Sequence, residues 1–150
     1  MNTEQLVQKY GEPGTNQTYC ILPYKMKLAW STEVKISRFS CHELVKDNLE
    51  NIFKDVLAYY GPVGVEKLGL DLFGGCLNIR NKRNGSTLSL HSWGIAVDID
   101  PLNNKLKWGK DKAKLAKPEY NTFWEIVEDN GGFSLGRIHN YDWMHFQFEK

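Results

Sequence analysis

Ser89-Leu90-His91-Ser92-Trp93-Gly94-Ile95-Ala96-Val97-Asp98-Ile99-Asp100 is the stretch whose reading decides the fold. From Ile95 it alternates, with Ile95, Val97 and Ile99 on one side and Ala96, Asp98 and Asp100 on the other, the period-two pattern of a strand with one face in a core. Asp98 then stands on the opposite face, looking over a cleft from a rigid base. A carboxylate inside so apolar a run is costly unless a cation or hydrogen-bond donors meet it. Near the C-terminus the device recurs: Met144, Phe146 and Phe148 alternate with His145 and Gln147, which places His145 on the polar face of a second strand. His91 lies seven residues before Asp98, and Gly94 between them allows the chain to turn back.

These residues form a plausible ligand set. Catalytic zinc is usually held by three protein ligands drawn from His, Asp, Glu and Cys, with a fourth position left open. His91, Asp98 and His145 are the predicted three. Asp142, just outside the second strand, is free to act as a base towards water. His42 reads as the first turn of a helix, and His139 as a loop residue placed to support Asp142.

Outward from this centre, Thr3 to Tyr10 reads as a short helix stopped by Gly11. Residues 12 to 39 read as loops and short strands, with Val34-Lys35-Ile36 the best strand. Ser40-Cys41-His42-Glu43 fits a capping box. After it Val45, Leu49, Ile52, Phe53, Val56, Leu57 and Tyr60 recur on one helical face until Gly61-Pro62 ends the helix. A later helix is expected from about Pro118 to Asn130, with Tyr120, Phe123, Trp124 and Val127 inward. Helices before and between antiparallel strands predict an α+β fold, a small antiparallel sheet carrying the metal site and packed with several helices.

At 150 residues, 41% of them hydrophobic and 13% aromatic, the chain can fill one core, and one domain over 1–150 is expected. The net charge of +1 argues against a protein that binds nucleic acid through phosphate contacts. Lys105, Lys107, Lys110, Lys112, Lys114 and Lys117 crowd one segment, offset only by Asp111. Cys20, Cys41 and Cys76 are odd in number and lack C-x-x-C spacing, so they read as reduced thiols. The N-terminus has neither a basic nor an apolar leader region, and no run approaches the roughly 18 apolar residues of a membrane span, so synthesis in the cytoplasm without a signal peptide and no stable membrane insertion are expected.

The order Ser89, His91, Gly94, Ala96, Asp98, then Asp142 and His145, matches S-x-H-x-x-G-x-A-x-D followed by a carboxylate-x-x-H at every position. It resembles the zinc D,D-/L,D-peptidases of the VanY type, peptidase family M15, and among them the phage L-alanyl-D-glutamate endopeptidase endolysins. The resemblance extends to Gly74-Gly75-Cys76-Leu77-Asn78-Ile79-Arg80, Asp100-Pro101 and Gly131-Gly132-Phe133; it is close from about residue 60 onward and loose before that.

The resemblance implies a hedgehog/DD-peptidase-like fold with one catalytic Zn2+ on His91, Asp98 and His145, and Asp142 as catalytic base. It further implies that Arg80 binds substrate and stabilises the oxyanion, and that Ser89 either binds a substrate carbonyl or makes a structural hydrogen bond. Trp93 walls either pocket or core. The implied substrate is bacterial peptidoglycan, cut between L-Ala and D-Glu by an endolysin in bacterial lysis. Removal of terminal D-Ala by a carboxypeptidase is the alternative. A non-catalytic zinc-containing binding module on the same fold is a third reading, which Asp142 argues against. An enzyme of this kind is expected to be a monomer without a separate wall-binding domain, reaching the periplasm or wall through a holin-type pore. The lysine-rich segment then reads either as a solvated loop or as a patch drawn to anionic wall polymers.

Overall fold

The structure, a computed structural model, describes residues 1–150 and is α+β. Its strands are β1 (Gln17–Leu28), β2 (Ser31–His42), β3 (Leu72–Gly75), β4 (Ala96–Ile99), β5 (Phe133–Ser134) and β6 (His145–Gln147), in one six-stranded sheet of order β2-β1-β3-β4-β6-β5. Its helices are α1 (Thr3–Tyr10), α2 (Lys46–Lys67), α3 (Asn121–Asp129) and α4 (Leu135–His139). The sheet is larger than expected and not wholly antiparallel, because β1 and β3 pair in parallel at its middle, Lys27 opposite Leu72 and Leu28 opposite Phe73. The intervening α2 makes that parallel join possible, since a parallel pair needs a long crossover between its strands.

The core lies between the sheet and helices α2 and α3. Leu49, Ile52, Phe53 and Val56 of α2 are buried, as are Phe123, Trp124 and Val127 of α3. Phe53 meets Tyr24 and Phe39 edge to face, and Phe39 stacks on Phe73, tying α2 to β1, β2 and β3. The two helical stripes expected from sequence therefore face the sheet.

Residues 12 to 39 are not loops and short strands. They hold most of a long hairpin of two twelve-residue strands, with only Ala29 and Trp30 between them. β2 is an edge strand, and Val34, Lys35, Arg38 and most of their neighbours are exposed on both faces, so no apolar alternation marks it. Pro23 breaks the pattern of β1, where the register shifts between Ile21 and Met26; there the Ile21 N–H leaves the ladder and donates to Glu50 Oε2 of α2 at 2.7 Å.

The capping box at Ser40 does not form, because Ser40 is in β2 opposite Tyr19. His42 ends that strand rather than opening a helix. Its Nδ1 caps the short turn Glu43–Val45 by accepting from Leu44 N at 3.1 Å, and its Nε2 donates to Tyr10 O at 2.7 Å, so the buried ring is fully used in structure. A capping box does form at Asn2 and Gln5, each side chain bonding the other's backbone N–H at 2.8 Å. Gly61, non-helical at φ 71° and ψ 168°, interrupts α2 where the sequence placed the helix end, and Pro62 starts a further helical stretch to Lys67.

Candidate metal centre

Strand register assembles the centre. In the β4–β6 pair Asp98 stands directly opposite His145, and on the other side of β4 Asp98 faces Gly75 of β3. Gly74 lets β3 approach: a Cβ there would lie 2.9 Å from the Asp98 carbonyl oxygen and 3.0 Å from its Cβ. His91 comes from a 3-10 turn, Leu90–Trp93, opened by Ser89 Oγ accepting from His91 N at 3.2 Å. The turn closes at left-handed Gly94, whose N–H returns to His91 O. The expected folding back of His91 onto Asp98 is thus achieved by one tight turn.

The ligand-bearing atoms of His91, Asp98 and His145 all lie within 4.8 Å of one another. His91 Nε2 is 3.2 Å from Asp98 Oδ2, and His145 Nδ1 is 3.1 Å from Asp98 Oδ1. The remaining ring nitrogens are committed elsewhere. His91 Nδ1 donates to Cys76 O at 2.8 Å, and His145 Nε2 donates to Gln147 Oε1 at 2.9 Å. Gln147 is itself oriented by its amide donating to Glu149 O at 2.6 Å. Each ring is thereby fixed with its other nitrogen turned towards Asp98.

His91 Nε2 is buried without a hydrogen-bond partner, a condition that native interiors rarely tolerate. Two imidazole nitrogens and a carboxylate around one point are the donor set that suits zinc, and an ion there would satisfy the orphaned nitrogen. The residues present therefore fit the metal that the sequence led us to expect. Burial by itself would raise the Asp98 pKa, but the His145 and His91 imidazoles outweigh it and hold the carboxyl far below the usual range. Burial lowers His145, yet Asp98 beside it lifts the ring above its ordinary value. The carboxylate is anionic and ready to bind a cation.

Asp142 borders the same cleft, its Oδ2 3.9 Å from His145 Nδ1. Its backbone is left-handed at φ 53°, a conformation Asp tolerates, and is pinned from both sides: its N–H donates to Leu106 O at 2.8 Å and its carbonyl accepts from His145 N at 3.0 Å. Burial, reinforced by Asp98, pushes its carboxyl above the usual carboxylate value. Asp142 is thus held near His91, Asp98 and His145 without joining their hydrogen bonds.

The cleft, about 330 Å³, is also bordered by Arg80 and Ser89. Arg80 is half-buried, and its main chain is clamped by Ser92 Oγ, which accepts from Arg80 N at 3.1 Å and donates to Arg80 O at 3.0 Å. Its guanidinium meets only Asn81 O, at 3.1 Å. Ser89 makes the structural bond to His91 while its hydroxyl still borders the cleft. Trp93 is core rather than pocket wall, fully buried with Nε1 donating to Gly11 O at 2.9 Å. His139 is not a support for Asp142: it is exposed at the end of α4 and lies against Tyr141.

Gln147 and Ser92 hold candidate site residues in place, a part the sequence reading did not give them. Gln147 shared the polar face of its strand with His145, so the alternation already placed it beside the ring. Ser92 carried no such signal, since its partner Arg80 is twelve residues away across a loop.

Residues 83–148 match the family model described as D-alanyl-D-alanine carboxypeptidase, one of the M15 peptidases. The matched segment contains His91, Asp98, Asp142 and His145 and begins three residues after Arg80. No curated protein and no solved structure matches the chain.

Proposed function

We propose, from the match of residues 83–148 to an M15 peptidase family model, that the chain is a zinc peptidase that hydrolyses the stem peptides of bacterial peptidoglycan. The observation that carries this reading is the buried, unpartnered Nε2 of His91, converging with Asp98 and His145 Nδ1 beside Asp142.

Zinc on His91, Asp98 and His145 would supply Lewis-acid chemistry, lowering the pKa of water towards about 7 and polarising the scissile carbonyl. Asp142 takes the proton of the attacking water on its carboxylate and returns it to the leaving amine. In the metal-free chain burial lifts its carboxyl above the ordinary aspartate value. Arg80 donates to the developing oxyanion or to a substrate carboxylate, on a main chain that Ser92 immobilises. Ser89 accepts from His91 N, which leaves its hydroxyl hydrogen for a substrate carbonyl.

We assign the cut to the bond between L-Ala and D-Glu, the endopeptidase activity of a phage-type endolysin. A second groove adjoins the cleft across Arg83, Leu106 and Met144, so a peptide can run past the metal centre instead of ending at it. Carboxypeptidase action on terminal D-Ala is the second reading, favoured by the description of the matching family. Digestion of purified Gram-negative peptidoglycan, with and without chelator, tests both by mass spectrometry of the new termini. D-Glu amino termini that vanish with chelator and return with zinc are expected. Released D-Ala would move the assignment to the carboxypeptidase, and intact wall with zinc bound would leave only a binding module.

A further inference from the structure

The six lysines between Lys105 and Lys117 do not form one solvated patch. Lys114 turns inward to the buried carboxylate of Asp100, with Nζ 3.7 Å from Oδ2. Lys110, Lys112 and Lys117 are exposed and border neither the cleft nor the groove beside it. Lys105 and Lys107 do line that groove, of about 460 Å³, together with Arg83, Leu102, Trp108 and Met144. Lys105 Nζ stands 5.4 Å from the centre of the Trp108 ring, and Leu102 is 65% exposed, an apolar surface left open to solvent. The groove thus has an apolar floor and three cations along its length, with no carboxylate among its lining residues. It shares Arg83, Leu106 and Met144 with the metal cleft, and Met144 immediately precedes the ligand His145.

We infer that this groove is a substrate subsite for the acidic part of the peptide beyond the scissile bond, with Lys105, Lys107 and Arg83 pairing its carboxylates while Leu102, Trp108 and Met144 cover its aliphatic portions. The inference rests on the peptidase reading of the metal centre and gives it a specificity: free-acid peptides are preferred to amidated ones. Charge complementarity selects the occupant. Three cations around an apolar floor repel basic peptides and leave neutral ones without a partner for the cations, whereas a peptide with side carboxylates satisfies both surfaces.

The test is calorimetric titration of the zinc-loaded full chain carrying Asp142→Asn with a synthetic stem tetrapeptide, its side carboxylates either free or amidated. Adding Lys105→Glu and Lys107→Glu is expected to weaken the free-acid peptide about tenfold, from two lost or reversed surface pairs, and to leave the amidated one within about twofold. Lys112→Glu with Lys117→Glu makes the same change in net charge from the same segment and is expected to alter neither. Equal weakening of both peptides, equal effects of the two double variants, or no affinity for either peptide would overturn the groove. Charge-selective binding by a protein whose parent cuts no wall fragment would instead retain the groove and remove the peptidase reading. Cleavage without charge selectivity would do the reverse.

Discussion

The Nδ1 hydrogen of His91 is committed to the Cys76 carbonyl, so only Nε2 can reach an ion, and that atom has no other partner. His91→Ala or His145→Ala is therefore expected to lose bound zinc, measured by elemental analysis of the purified protein. Asp142→Asn is expected to keep the metal and lose about 10²- to 10⁴-fold in turnover on wall peptides, the span of general acid–base catalysis. A variant at Asp142 with full activity would remove the assigned base. Gln147 holds the other ring by its far nitrogen. Gln147→Leu should weaken zinc by about 10- to 100-fold in a competition titration while circular dichroism stays unchanged. Asp98 and His145 were legible in the sequence because strand alternation sets which side chains share a face, whereas His91 and Asp142, outside the strands, were marked by their spacing and by the family resemblance. The clamps from Cys76, Ser92 and Glu149 were not, since backbone carbonyls and hydroxyls leave no pattern.

Among the elements, β3, β4 and β6 must keep one register, because a slip of one residue would turn Asp98 or His145 to the other face. Gly74→Ala is expected to force β3 off β4 and weaken zinc binding, read by the same competition titration, since its Cβ would meet backbone as well as side chain. The hairpin is secured differently. Glu50 of α2 accepts from Ile21 N at the irregularity in β1 and from Lys46. Burial would raise its carboxyl, but these two bonds prevail and hold it below the ordinary value. A depressed folded pKa means the carboxylate stabilises the fold above its unfolded pKa and ceases to as pH falls through the folded one. Thermal midpoints of Glu50→Gln should fall below those of the parent at pH 7, with the gap closing as pH falls through and below the ordinary glutamate range. A gap independent of pH would show that the carboxylate's charge contributes nothing. The hairpin was the main element missed: its outer strand projects charged residues from both faces, and only pairing with β1 makes it a strand.

At the scale of the molecule, zinc binding at the proposed site would be linked to folding, because His91, Asp98 and His145, from the turn before β4, β4 and β6, converge only in the folded chain. At free zinc 100-fold above Kd the linkage amounts to about 2.7 kcal/mol, roughly 5–10 °C in Tm for a domain of this size. Scanning calorimetry with zinc and with chelator checks this, and an unchanged Tm would count against a preformed three-ligand site. Phe53→Ala, at the junction of α2 with β1 and β2, should cost about 3–5 kcal/mol in denaturant unfolding. The three cysteines are all buried and unpaired, and burial pushes Cys41 up to about 12, so none offers a ready thiolate. No helix is long and apolar enough to cross a membrane.

The sequence by itself pointed to the candidate metal-holding group and the candidate base, and determined the α+β class and the inward faces of α2 and α3. The placing of Asp98 and His145 and the two helix faces is written in local spacing, where a period of 2 or about 3.6 is enough to identify it. Only the tertiary structure decided the long hairpin, the parallel join of β1 with β3 and the hydrogen-bond partners of each buried histidine. It alone separated Lys105 and Lys107 from the other lysines of their segment. Those features depend on partners far apart in the chain, and no local periodicity records who the partner is.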